Sequence, residues 1–232
     1  QLAKMHHRTR GAISLPVVIR IPYGGGIGAV EHHSESPEVL FAHTAGLRIV
    51  TPASPADAFT MIQEAIASPD PVIFFEPKSR YWEKGEVDLG RPYATPTGAL
   101  DRARVVRRGT DATIVAYGPT VHTALRAADA AAEEGRSLEV VDLRAISPLD
   151  TDTVADSVRL TGRCVVVHEA PVAFGTGGEI AARITEACFY HLQAPVLRVG
   201  GYATPYPVAR LEHEYLPSVD RVLDAVDRAV GF

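Results

Sequence analysis

Apolar and polar residues follow two rhythms along this chain, and the rhythms take turns. Short runs that are nearly all apolar, bounded by Pro, Gly or charge, occur at 17–21, 47–51, 71–75, 112–117, 138–143, 164–168 and 196–199. Such runs predict strands buried on both faces. Between most of them, apolar residues recur every three or four positions, which predicts helices with one buried face. Phe59, Ile62 and Ile66 mark a helix over 55–67, and Val121, Leu125 and Ala128 one over 120–134. Further helices are predicted near 151–160, 178–189 and 219–230, the last with Val219, Val222, Leu223, Val226 and Val230 as its stripe. Ser54 suits the N-cap of the first of these, Pro55 its first turn, and Asp57 the third position, where a carboxylate faces the positive helix end. Gly135 ends the second. Strand and helix alternating in this way predict an α/β fold with parallel sheets.

The alternation lapses from Lys84 to Ala103, where Gly85, Gly90, Pro92, Pro96 and Gly98 interrupt a polar stretch. That reads as a connection between domains. The expected organisation is a first domain over 1–84, a linker over 85–103 and a second domain over 104–232. A length of 232 residues and an apolar share of 46% are enough for two cores.

Charge and cysteine content narrow the function class. A formal net charge of −5 without a basic block argues against nucleic-acid binding. No apolar run approaches the length of a membrane span, and no signal peptide is visible. The two cysteines, Cys164 and Cys188, lie in apolar strand-like and helix-like runs and are expected to be reduced core residues. The chain therefore reads as soluble and intracellular.

Chemistry concentrates at residues 22–38, PYGGGIGAVEHHSESPE. A glycine-rich turn follows the first strand and leads to a histidine pair, His32 and His33. Loops at the ends of parallel strands are where sites form, and imidazole is the side chain best suited to moving protons near neutral pH. The plain alternative is a turn carrying two solvated histidines. Glu38 is expected to cap the helix that begins near Pro37, and His43 to be packed or at an interface. His168 and Glu169 end a buried strand before a Gly175–Gly178 turn, which reads as a packing turn. Tyr202, Tyr206 and Tyr215 suggest an ordered surface near an interface.

The runs VVIRIPYGGGIGAVEHHSESPE (17–38), PVIFFEPK (71–78), VVDLRAISPLD (140–150), VVVHEAP (165–171) and GGYATPYP (200–207) together resemble the beta subunit of the decarboxylase component of 2-oxo acid dehydrogenase complexes. The resemblance covers nearly the whole chain in order. It implies a partial pyrimidine-binding-type domain of the thiamine diphosphate enzymes, followed by a transketolase C-terminal-like α/β domain. It also implies that the family's N-terminal third, with the glutamate that activates the cofactor, is missing, so this chain is expected to be a fragment, the alternative being a diverged short paralogue.

The remaining expectations follow from that resemblance. The histidine directly before Ser-x-Ser-Pro-Glu, here His33, would stabilise the alkoxide that develops on the substrate and assist acyl transfer. The cofactor would be thiamine diphosphate, with magnesium held by the alpha subunit; the Gly-Asp-Gly pyrophosphate signature is absent here. A structural potassium ion, held by main-chain carbonyls in branched-chain members, would map to Leu15, Val17, Val18, Ala65, Ser68 and Asp70. The partners would be an alpha subunit, in an α2β2 heterotetramer, and a lipoyl acyltransferase core. The substrate is expected to be 3-methyl-2-oxobutanoate, with pyruvate or acetoin as the alternative. The location would be bacterial cytoplasm, or the mitochondrial matrix in a eukaryote. A rival of another class is a non-catalytic assembly module.

Overall fold

The computed structural model describes residues 1–90 and 97–232. Pro92 and Pro96 of the expected linker lie outside the described residues. Two sheets organise the chain. The first contains β1 (Val18–Tyr23), β2 (Arg48–Val50), β3 (Val72–Pro77) and β7 (Ala145–Ser147), in the order β1-β3-β2-β7. The second contains β4 (Arg104–Arg107), β5 (Ala112–Ala116), β6 (Leu138–Asp142), β8 (Cys164–Pro171) and β9 (Leu197–Gly201), in the order β4-β6-β5-β8-β9.

Short helices α1 (Met5–Arg8), α2 (Val30–His33) and α3 (Glu38–Ala42) and the longer α4 (Pro55–Ala67) accompany the first sheet in sequence. The second carries α5 (Thr120–Glu133), α6 (Thr151–Thr161), α7 (Thr176–Cys188), α8 (Glu212–Tyr215) and α9 (Val219–Val230). The start of α4 is as the sequence predicts: Ser54 Oγ accepts the Asp57 N–H at 3.1 Å, with Pro55 in the first turn.

The parallel core of each sheet is the predicted one, and each gains an antiparallel edge strand that periodicity did not reveal. β4 runs antiparallel to β6, and β7 antiparallel to β2. Both are short, and in RVVR two apolar residues between arginines are too few to show a period.

β7 does more than extend an edge. It belongs by sequence to the second half of the chain but pairs in the first sheet, reached by a turn in which Arg144 takes φ +55°. The Arg144 carbonyl accepts the Thr51 N–H at 2.9 Å, and the Arg144 Nε donates to the Arg102 carbonyl at 3.0 Å. Asp57, buried on α4, accepts from Arg104 Nη2 at 2.6 Å and lies 4.0 Å from Arg144. Burial and the nearby Asp57 push Asp142 up to about 7. The DLRAISPLD segment thus stitches the two sheets together.

The apolar core is continuous across that seam. Tyr23, Ile49, Ile73 and Phe75 of the first sheet share one cluster with Val115, Tyr117, Leu143 and Ile180 of the second. Cys164 and Cys188 are buried free thiols, as expected. The two halves meet closely at Gly118, which follows Tyr117 with φ +55°; a Cβ there would stand 2.2 Å from the Tyr23 hydroxyl. Gly118→Ala would therefore combine left-handed strain with a steric clash. It is expected to lower unfolding free energy by about 2–4 kcal/mol in a denaturant titration. A loss below about 0.5 kcal/mol would show that the seam is looser than described.

Candidate active site

The loop after β1 is shaped by what it must avoid. Gly24, Gly26 and Gly28 have φ of +88°, +84° and +67°, the left-handed region open to glycine at little cost. Gly25 is needed for another reason: a Cβ there would meet the Tyr206 hydroxyl at 2.2 Å and a Leu216 methyl at 2.8 Å. Glu169, at the end of β8, accepts the Gly25 N–H at 2.9 Å. Glu212, opening α8, accepts the Gly28 N–H at 2.9 Å through one oxygen and the Tyr206 hydroxyl at 2.7 Å through the other.

Directly after this turn comes Val30, a β-branched residue with φ +48°. That conformation is a true outlier for valine, and such strain collects at functional sites. Val30 opens α2, whose last residues are His32 and His33, both exposed. His32 Nδ1 is 3.6 Å from the Glu31 carboxylate, and the Lys78 ammonium donates to the His33 carbonyl. The backbone of His33 is tied down while its imidazole is open to solvent. A cavity of about 600 Å³ is lined by Arg20, Ser54, Ile62, Phe74, Glu76 and Tyr81 among others, and does not include either histidine. The histidines therefore present a face rather than a closed pocket.

Two sequence expectations need correction, for Glu38 and for the tyrosines. Glu38 lies in the first turn of α3 without capping it; its side chain is buried and accepts a hydrogen bond from the Tyr117 hydroxyl. The local sequence contains only the helix start, whereas Tyr117 comes from the other sheet. His43 is exposed, which agrees with the interface rather than the packed place expected for it. Tyr206 and Tyr215 are buried against one another, with ring centroids 4.9 Å apart, and only Tyr202 lies half open. The Gly175–Gly178 turn is a packing turn: a Cβ on Gly177 would lie 2.4 Å from His168 Nε2.

The positions mapped for potassium lie on two neighbouring stretches. The Leu15 N–H donates to the Pro69 carbonyl at 3.1 Å, and the Val72 N–H to the Val17 carbonyl at 2.9 Å, so the residues leading into β1 bond to those between α4 and β3. The carbonyls of Leu15, Val17, Ala65 and Asp70 already accept hydrogen bonds from Val17, Val72, Ser68 and Ser68 Oγ respectively. The helix end is thus finished by its own bonds. Among the described residues, no three His, Cys, Asp or Glu side chains are grouped to hold a metal.

Sequence reasoning missed the acidic setting of the glycine loop. Burial, opposed by the Tyr117 hydrogen bond, pushes Glu38 up to about 7. Enclosure, opposed by the Gly25 N–H and reinforced by Glu212, pushes Glu169 up to about 7 as well. His168, buried beneath Tyr117 with parallel rings 6.3 Å apart, is pushed down to about 4 by burial and is neutral. Glu169 beside a glycine-turn approach was visible in sequence only as the end of a strand.

Comparison with known proteins places this arrangement. Residues 1–83 match the transketolase pyrimidine-binding domain and residues 101–222 the transketolase C-terminal domain. The chain is 62% identical over its whole length to the pyruvate dehydrogenase E1 component subunit beta of Leifsonia xyli subsp. xyli, spanning 68% of that subunit. Over 99% of its length it is 54% identical to the 3-methyl-2-oxobutanoate dehydrogenase subunit beta of Mycobacterium tuberculosis, spanning 65% of it.

The chain belongs to the family of 2-oxo acid dehydrogenase beta subunits. It spans about two thirds of the length of these relatives. Among solved structures, a split-gene transketolase described as an inactive beta4 tetramer superimposes with a TM-score of 0.74, at 26% identity, over 98% of this chain and 72% of that one.

The seam of this chain thus holds three carboxyls, Glu38, Asp142 and Glu169, that are pushed up to about 7. A carboxyl near 4.5 when unfolded and near 7 when folded takes up a proton on folding between those values. Its stabilising contribution is full below about 4.5 and is lost as pH rises through about 7. Glu38→Gln keeps an oxygen for Tyr117 and removes the ionisation. The variant should be more stable than the parent by about 1–3 kcal/mol at about pH 8, with the gap closing towards about pH 5. Parallel thermal melts check this, and an unchanged gap across that range would mean Glu38 titrates normally.

Proposed function

We propose that this chain serves as the beta subunit of a thiamine-diphosphate-dependent 2-oxo acid dehydrogenase, in the oxidative decarboxylation of 3-methyl-2-oxobutanoate and transfer of the acyl group to lipoyl. The observation that carries this reading is chain-long similarity to subunits named for that reaction class, at 62% and 54% identity, combined with a histidine presented by a strained, tied-down turn. Thiamine diphosphate supplies the carbanion that attacks the 2-oxo group and the electron sink for decarboxylation.

The part of this chain is positional. His33 is exposed on a fixed backbone, so its ring can meet a group carried by a partner and hold a proton against a developing alkoxide. The exposed face fits a cofactor site completed by a second subunit, since the His33 side chain is open to solvent. The alpha subunit, in an α2β2 heterotetramer, supplies the pyrophosphate and magnesium ligands. A lipoyl acyltransferase core receives the acyl group. Potassium at the β1–α4 junction is a role the carbonyls could take as further ligation, with no part in the chemistry. The described residues contain no helix long and apolar enough to cross a membrane. Relatives come from bacteria, and one, from Dictyostelium discoideum, is named mitochondrial. Bacterial cytoplasm is the proposed location, or the mitochondrial matrix in a eukaryote.

A second reading, pyruvate as substrate, is favoured by the name of the 62% relative. The mechanism is the same under both. The beta-only transketolase described as inactive also fits a division of labour in which this chain needs an alpha partner.

Oxo-acid-dependent dye reduction by the heterotetramer, supplied with thiamine diphosphate and magnesium, tests the reading. Turnover with 3-methyl-2-oxobutanoate should exceed that with pyruvate, and His33→Ala should lower kcat about 100-fold or more with assembly intact. Full turnover by that variant would remove His33 from the mechanism. Absence of turnover from a well-assembled parent would favour the assembly-module role.

A further inference from the structure

We infer that Glu169 and Glu212 are positioning residues, a clamp by which the C-terminal domain fixes the glycine loop and so sets where His33 stands; this rests on the role proposed above for His33. The two carboxylates take separate N–H groups near either end of one turn, Gly25 and Gly28, each at 2.9 Å. Two side-chain acceptors holding N–H groups at separate points of one turn leave it little freedom to rotate.

The clamp is itself backed by packing. Tyr206 donates to Glu212 at 2.7 Å while its ring packs on Tyr215. Arg221 Nη1 donates to the carbonyls of Tyr215 and Leu216 at 3.1 and 3.2 Å, tying α8 to α9. On the loop side, Gly25 has no room for a Cβ beneath the Tyr206 hydroxyl. From Gly28 the chain passes through Ala29 and strained Val30 directly into α2, so a shift at the clamp is carried to the histidine.

Neither acid is a cheap way to hold a turn. Two carboxylates close enough to influence each other are placed in a partly dry seam against neutral backbone. A neutral acceptor could hold the turn without that desolvation. What the two acceptors add is fixed geometry, which governs turnover more than binding: a misplacement of about 1 Å can cost about 100-fold in rate.

The test uses the assembled heterotetramer with thiamine diphosphate and magnesium, comparing Glu169→Ala, Glu169→Gln, Glu212→Ala and His33→Ala. The alanine clamp variants should lose about 10-fold or more in kcat with KM for the oxo acid within about threefold, and Glu169→Gln should recover most of the loss. Parental kcat in both assembled alanine variants, with His33→Ala inactive, overturns the clamp and leaves the histidine reading standing. An active His33→Ala overturns the histidine reading and, with it, the purpose assigned to the clamp. Where an alanine variant does not assemble, Tyr206→Phe decides, because it keeps the ring and removes only the O–H that orients Glu212. A kcat lowered about two- to fivefold supports the clamp, and an unchanged kcat overturns it.

Discussion

Buried and half-buried carboxyls need partners, and in this chain several find them across the seam between the two sheets. Glu38 reaches Tyr117, Asp57 reaches Arg104, and Glu169 and Glu212 reach the backbone of Gly25 and Gly28. A buried carboxylate left without such a partner costs several kcal/mol, so each pair resists separation of the halves. The apolar cluster shared by both sheets supplies the general driving force. The polar pairs supply the register. Sliding one sheet against the other would break these four contacts together.

That constraint explains why the candidate site is both simple and exact in its backbone. The histidine pair sits on a helix of one turn, which cannot hold itself in place. Its rigidity is borrowed: from Lys78 at the His33 carbonyl, and from the second half of the chain through the glycine loop. The strain at Val30 persists because its surroundings are fixed at both ends. A site built this way can leave its reactive side chain exposed for a partner while the backbone beneath it stays put.

How much of this was legible in the sequence depended on range. Helices α4, α5 and α9 and the central strands announced themselves through period and caps, because those signals are local. β4 and β7 were too short to show a period, and β7 joined the sheet of the other half, which nothing nearby indicates. Glu38 looked like a cap because its neighbours form a helix start; its true partner lies 79 residues away in sequence. The histidine pair and the family were legible from ordered motifs spread over the chain. Glu169, Glu212 and Tyr206 were not, since they meet the loop only through packing between residues more than a hundred apart. Tyrosines that looked like surface turned out to be the backing of that loop.

The central claim is that the glycine loop belongs energetically to the C-terminal domain rather than to the strand that leads into it. Amide hydrogen exchange at Gly25 and Gly28 tests it most directly. If Glu169 and Glu212 hold those N–H groups, both amides should exchange about 100-fold or more slowly than an open loop, approaching the strands of the seam. Exchange at the rate of an unprotected turn, with β1 and β8 still protected, would contradict the account.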